Sequence, residues 1–234
     1  MVSGSDILEV LRTTRDFLLF KPAAPDVGRL GPLYLAFGLI FTWAAGIGRN
    51  WDNPRVDAWQ HFGLASVAYV FVFAALLWLL LWPLKPRNWH YRNVLIFVTM
   101  TAPPALLYAL PGRFLAGDAM ALAKAWLLAV VALWRVALLW RYLRGSAGLQ
   151  GAVLMTALSL PLVLVVTALV ALNLDRAVFD IMGGGGLHTA DDDAYQLLIT
   201  IDFFSILAAP LLLGFYGWHC WRAWRPAENA APAK

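Results

Sequence analysis

Long apolar runs recur along the chain, each near the roughly 20 residues that a helix needs to cross about 30 Å of hydrocarbon. Six of them predict transmembrane helices: Leu30 to Ile47, Phe62 to Leu84, Val94 to Leu110, Ala119 to Trp140, Ala152 to Leu174 and Tyr195 to Trp218. The third carries Pro103 and Pro104 at its middle, which predicts a kinked or re-entrant segment in place of a regular span. Ahead of the runs, residues 5–20 follow a helical period. Ile7, Val10, Leu11, Phe17 and Leu18 fall on one side and Glu9, Arg12, Arg15 and Asp16 on the other. Such a helix lies in the headgroup layer or packs beneath the bundle. Asp6 followed by Glu9 resembles a capping pair, and Pro22 and Pro25 turn the chain toward the first span. The expected fold is all-α: a polytopic transmembrane helix bundle of about six spans, preceded by an amphipathic interfacial helix. Residues 1–29 form the N-terminal segment, 30–221 the membrane domain and 222–234 a short tail.

Composition agrees with a membrane solvent. Hydrophobic residues make up 61% and charged residues 14% of the chain, and the mean hydropathy is +0.67, outside the range of soluble domains. The single cysteine, Cys220, excludes an intramolecular disulfide and any zinc site built on several thiolates. Charges from Asp6 to Asp16 interrupt any signal-peptide pattern, so the first span is expected to direct insertion.

Charge also predicts sidedness. With six crossings, one side receives Arg12, Arg15, Lys21, Arg29, Lys85, Arg87, Arg92, Arg141, Arg144, Arg222, Arg225 and Lys234, and the other only Arg49, Arg55, Arg113 and Arg176. Twelve cations against four place both termini on the cytoplasmic side of a bacterial inner membrane. Trp82, Trp89, Trp140, Trp218, Trp221 and Trp224 map to the cytoplasmic interface, and Trp43, Trp51, Trp59 and Trp126 to the outer one, as indole anchors.

Ionisable residues within spans are the main candidates for chemistry, because each costs about 2.5 to 3.5 kcal/mol at a helix centre on insertion scales. Lys124 and Arg135 share a face of the fourth span with Val131 and Tyr142, and Asp202 shares a face of the sixth with Tyr195, Ser205 and Tyr216. By depth, Lys124 is the expected partner of Asp202, whereas Arg135 is expected to snorkel to the cytoplasmic interface. Pro103, Pro104, Pro161 and Pro210 lie at mid-span, where broken helices build many transporter sites, although prolines are also common in ordinary membrane helices.

An outer-face cluster of Arg49, Asp52, Arg55, His61, His188 and Asp191 is the second candidate. The run GGGGLHTADDD from Gly183 has ligand types suited to a divalent cation, but its spacing matches no calcium or zinc motif. A solvated acidic loop is the favoured reading. GIGRNWDNPR from Gly46 reads as the outer turn between the first two spans, with Gly46 and Gly48 ending the helix and Asp52 or Asn53 before Pro54 making the turn. Arg49 and Arg55 would then pair with Asp52, Asp57 or Asp191.

At GIGRNWDNPR, at NWHYRNVL from Asn88 and at WRVALLWRYL from Trp134, the chain resembles an uncharacterised family of small bacterial inner-membrane proteins, over most of residues 30–144. The resemblance implies a polytopic bundle and no particular activity. The architecture is also similar to that of the Yip membrane-trafficking family, which typically has fewer spans, and this similarity carries over no functional residue.

Three functions fit the sequence. The first is a non-enzymatic membrane assembly or interaction subunit, the second a small-solute or ion/proton transporter using Lys124, Asp202 and the proline-broken spans, and the third an outer-face metal-dependent enzyme. No serine elbow, His-Glu-x-x-His helix or phosphate loop occurs, so an enzyme is not favoured and no catalytic residue, metal or cofactor is expected. Expected partners are membrane lipids, other membrane proteins or a second copy of the chain, with no nucleic acid.

Overall fold

The computed structural model describes residues 3–22, 25–50, 62–109, 117–172 and 191–225. They form α1 (Gly4–Leu18), α2 (Val27–Asn50), α3 (Leu64–Leu81), α4 (Tyr91–Met100), α5 (Gly117–Gly145), α6 (Gly151–Ala171) and α7 (Asp191–Trp224), with 3-10 turns at Trp82–Leu84 and Pro103–Ala109. No strand occurs among the described residues. Helices α2, α3, α5, α6 and α7 contain stretches long and apolar enough to cross a membrane. The chain is an all-α, multi-pass membrane bundle.

The third expected span departs from a regular helix. A proline donates no N–H and clashes with the preceding turn, so α4 stops at Met100 and the chain tightens into the 3-10 segment. Its described part does not double back. Arg92 Nη2 donates to Val27 O at 3.3 Å, Gly38 lies against Thr99, and Ala45 packs with Ala105 and Val131. Between Val27 and Ala45, α2 advances roughly 27 Å. The described part of the broken segment therefore runs beside α2 through the bundle.

This segment is the centre of the fold. Val94 to Ala102 are buried without interruption, as expected for a helix that is apolar on every side. Helices α2 and α3 pack along it, and α6 joins α5 to the peripheral α7. Helix α1 lies over one end, termed the basal end. Its Val10, Thr14 and Phe17 are buried, and Phe17 meets Phe97 of α4 edge-on at 6.1 Å. Phe97 stacks on Tyr142 of α5, with ring centres 4.2 Å apart. The apolar arc of α1 is wider than the bundle covers, and Ile7, Leu8 and Leu11 stay exposed.

Several local expectations are corrected. The cap of α1 is Ser3, whose N–H donates to Asp6 Oδ2 at 3.0 Å, while Glu9 instead bonds Arg29. Gly46 and Gly48 do not end α2, which continues to Asn50. Gly46 serves close approach: a Cβ there would lie 2.7 Å from Ser66 Oγ and 2.9 Å from the Cα of Gly63. Gly63 itself has φ +70°, and a Cβ on it would meet Trp43 O at 2.6 Å. Helices α6 and α7 run through Pro161 and Pro210 without a break. Helix α7 also extends past both ends of the expected sixth span.

Gly38 brings α2 against the backbone of the central segment, where a Cβ would sit 2.5 Å from Thr99 Cβ and 2.8 Å from its carbonyl carbon. Gly38→Ala is expected to destabilise the bundle by about 1–3 kcal/mol through overpacking. Thermal unfolding in detergent reads this directly, and an unshifted midpoint would remove the proposed close approach.

Candidate functional site

The break in the third segment creates a backbone problem at mid-bundle. Thr101 N–H bonds Val98 O at 3.2 Å and Ala102 N–H bonds Thr99 O at 3.0 Å, so the ladder has already tightened before the prolines. Ala105 N–H then turns to Ala102 O at 2.9 Å, and the Thr101 carbonyl loses the donor that a continuous helix would give it. Arg135 of α5 supplies one, with Nε 3.3 Å from Thr101 O. The hydroxyls beside the break close onto their own turns: Thr99 Oγ1 donates to Ile96 O at 2.9 Å and Thr101 Oγ1 to Val98 O at 2.7 Å. Arg135 therefore works inward, where its depth alone had predicted a reach to the interface. A freed carbonyl within the protein is a nearer partner than water.

The other intramembrane candidates divide. On α7, Ser205 and Ala209 are buried, Tyr216 OH donates to Leu80 O at 2.6 Å, and Asp202 is half-buried and has an interaction partner. The side chain of Lys124 lies outside the described residues, so its pairing with Asp202 does too. Asp52, Arg55, His61 and His188 also lie outside them, as do the side chains of Arg49 and Asp191. Among the described residues no group of three or more His, Cys, Asp or Glu is arranged to hold a metal ion.

Among the described residues four tryptophans act as hydrogen-bond donors to the main chain, three of them (Trp43, Trp89 and Trp224) ones expected from the sequence to be interface anchors. Trp43 Nε1 bonds Phe62 O at 2.8 Å, Trp89 bonds Trp78 O at 3.0 Å, Trp134 bonds Leu18 O at 3.0 Å and Trp224 bonds Pro83 O at 2.9 Å. Trp89 is buried within the α3–α4 connection. Trp82, Trp140, Trp218 and Trp221 remain exposed.

Among the described residues the basal end carries most of the cations. Arg29 at the start of α2 bonds Asp6 Oδ1 at 2.8 Å and Glu9 Oε2 at 2.6 Å on α1, while Arg141 of α5 donates to Lys21 O. Lys85, Arg87 and Arg92 lie in and just beyond the α3–α4 connection, with Arg222 and Arg225 at the end of α7. Ser3 N–H, followed by the Arg29 guanidinium, holds the Asp6 carboxyl below its ordinary value. No family model, curated relative or solved structure matches the chain.

Two outcomes are expected. Arg135→Leu removes a charged donor from the Thr101 carbonyl and should destabilise the bundle by about 1–3 kcal/mol, with Arg135→Lys retaining part of that stability. Unfolding in mixed micelles measures both, and wild-type stability of Arg135→Leu would show that the bond does not hold the break. For Asp6, a depressed folded pKa means that its contribution is complete above the ordinary 3.8 and fades as pH falls below it. Amide exchange in α1 should therefore accelerate in acid relative to α4, and Asp6→Asn should reduce that pH dependence. Unchanged α1 protection in acid would exclude Asp6 as a tether.

Proposed function

We propose that the chain is a non-enzymatic assembly or interaction subunit of a bacterial inner membrane, with both termini and the α1 roof in the cytoplasm. The packing of the helix break carries this proposal. Transporters built on broken helices leave freed backbone around a binding site. In this chain Val94 to Ala102 are buried and the Thr101 carbonyl is occupied by Arg135, so the break is a filled joint.

The surface available to partners is then the outside of the bundle. Helix α7 packs chiefly along α6 and exposes Phe203, Phe204, Leu207, Leu211, Phe215 and Trp218 along one stripe at 100° per residue. The concentration of cations at the basal end supports a cytoplasmic assignment for it. A transporter that opens at the Arg135–Thr101 joint is the second reading, because an arginine bonded to the freed carbonyl of a broken segment is a charge that a moving substrate could displace.

Single-cysteine variants in a Cys220→Ser background test the first reading. Membrane-impermeant maleimide should label Phe62→Cys from outside the cell and Ser3→Cys only after permeabilisation. A bifunctional maleimide should cross-link Leu211→Cys on α7 into products larger than the 25.9 kDa chain, but not Leu79→Cys on α3. Reversed labelling removes the cytoplasmic assignment. Equal cross-linking at both positions, or none at either, leaves lipid as the neighbour of α7 and removes the interaction role.

A further inference from the structure

We infer that the basal cleft between the end of α3 and the end of α7 binds the phosphate headgroup of an anionic phospholipid. The inference rests on the membrane-interface reading of the basal end and adds to it a defined site. The cleft has a volume of about 380 Å³ and is lined by Trp82, Lys85, Pro86, Asn88, Trp89, His90 and Trp224. No lining residue is acidic.

Its cation is held in position. Lys85 caps the Trp82–Leu84 turn in the left-handed region, with φ 50° and its N–H bonded to Trp82 O at 3.0 Å. Its ammonium sits 4.0 Å from the centre of the Trp224 ring. That ring is fixed in turn by the bond from Trp224 Nε1 to Pro83 O at 2.9 Å and by an edge contact with Trp82 at 6.2 Å. A cation–π contact occupies one side of an ammonium and leaves its N–H groups free to meet an anion. A second cation on the same helix end, Arg225, lies 3.5 Å over the Trp221 ring, so the surroundings are positive and amphipathic.

The flanks decide between a lipid and a soluble anion. Phe71 of α3, on the face that carries Trp82, and Ile206 and Leu213 of α7, on the face that carries Trp224, are exposed on the elements that lead up to the cleft. Tyr216 OH ties α7 to Leu80 O of α3 at 2.6 Å. A free phosphate would use only the polar lining, Lys85, Asn88 and His90, and none of the apolar flanks. A phospholipid places its phosphate on the ammonium, its glycerol against the indoles and its acyl chains along the apolar flanks, which matches the order of chemistry along the surface.

Native mass spectrometry of the intact protein in detergent, supplied with equal phosphatidylglycerol and phosphatidylcholine, tests the site. Wild type should retain phosphatidylglycerol preferentially, and Lys85→Gln and Trp224→Leu should each weaken that retention about fivefold. Lys85→Arg, which keeps the charge, and Arg12→Gln, an exposed cation on α1, should leave it unchanged. The site is overturned if Lys85→Gln retains the lipid like wild type, if Arg12→Gln loses as much, or if inorganic phosphate displaces phosphatidylglycerol. Binding in detergent is blind to sidedness, so failure here leaves the cytoplasmic assignment standing, and reversed labelling leaves this site standing.

Discussion

A backbone carbonyl without a donor is a costly defect in an apolar interior, and this bundle is arranged around supplying donors. In hydrocarbon no water completes the ladder, so every freed group needs a protein partner. Arginine, tryptophan and tyrosine side chains fill that role across elements. Arg135 meets Thr101 O, Trp134 meets Leu18 O, Trp224 meets Pro83 O and Tyr216 meets Leu80 O, and Trp89 adds a second donor to Trp78 O, which already accepts from Trp82 N–H. Several of these carbonyls belong to helix ends, where the last turn has acceptors to spare. An indole N–H and a guanidinium are donors with no competing acceptor, which suits them to this task. The abundance of tryptophan thus has a structural reason beyond headgroup preference.

The central break shows how these bonds depend on packing. An arginine within a span costs about 2.5 to 3.5 kcal/mol on insertion scales, and a hydrogen bond to a charged group contributes about 1.5–3 kcal/mol. The two are close enough that Arg135 is tolerable at the break and unfavourable almost anywhere else along the same face. Its partner must be held within reach, which requires α4 to stay seated. Gly38 allows α2 to touch Thr99, and the Phe17, Phe97 and Tyr142 rings connect α1, α4 and α5. Removing the roof helix would therefore loosen the joint from above.

Features that depend on one stretch of chain were legible in the sequence. Hydropathy located the spans, the helical period found α1, and Pro103 with Pro104 marked the broken segment. Features that depend on a second element were not. The depth of Arg135 was estimated along its own helix, and nothing in that helix indicates a freed carbonyl on α4. Gly46 and Gly48 have the composition of a helix stop, yet the proximity of Gly63 gives Gly46 a packing role inside the helix. Trp89 and Trp82 belong to the same short connection, but only the fold buries one and leaves the other exposed. Lys85 is one basic residue among several until α7 brings Trp224 over it.

The same physics separates the two kinds of surface on the molecule. At the basal end, cross-element bonds and ion pairs fix α1 and the residues after it to α2 and α5, and the α3–α4 connection to the end of α7. Arg87 N–H adds a main-chain bond to Ala147 O at 2.9 Å between two connections. Helix α7, by contrast, is tied near its basal end through Tyr216 and Trp224 and along its length mainly by apolar contact with α6. Lipid tails are as apolar as leucine, so such contact gives little preference for α6 over another neighbour. Polar anchorage at one end with interchangeable packing along the rest makes α7 the element that a partner helix can reach without breaking any hydrogen bond of the core.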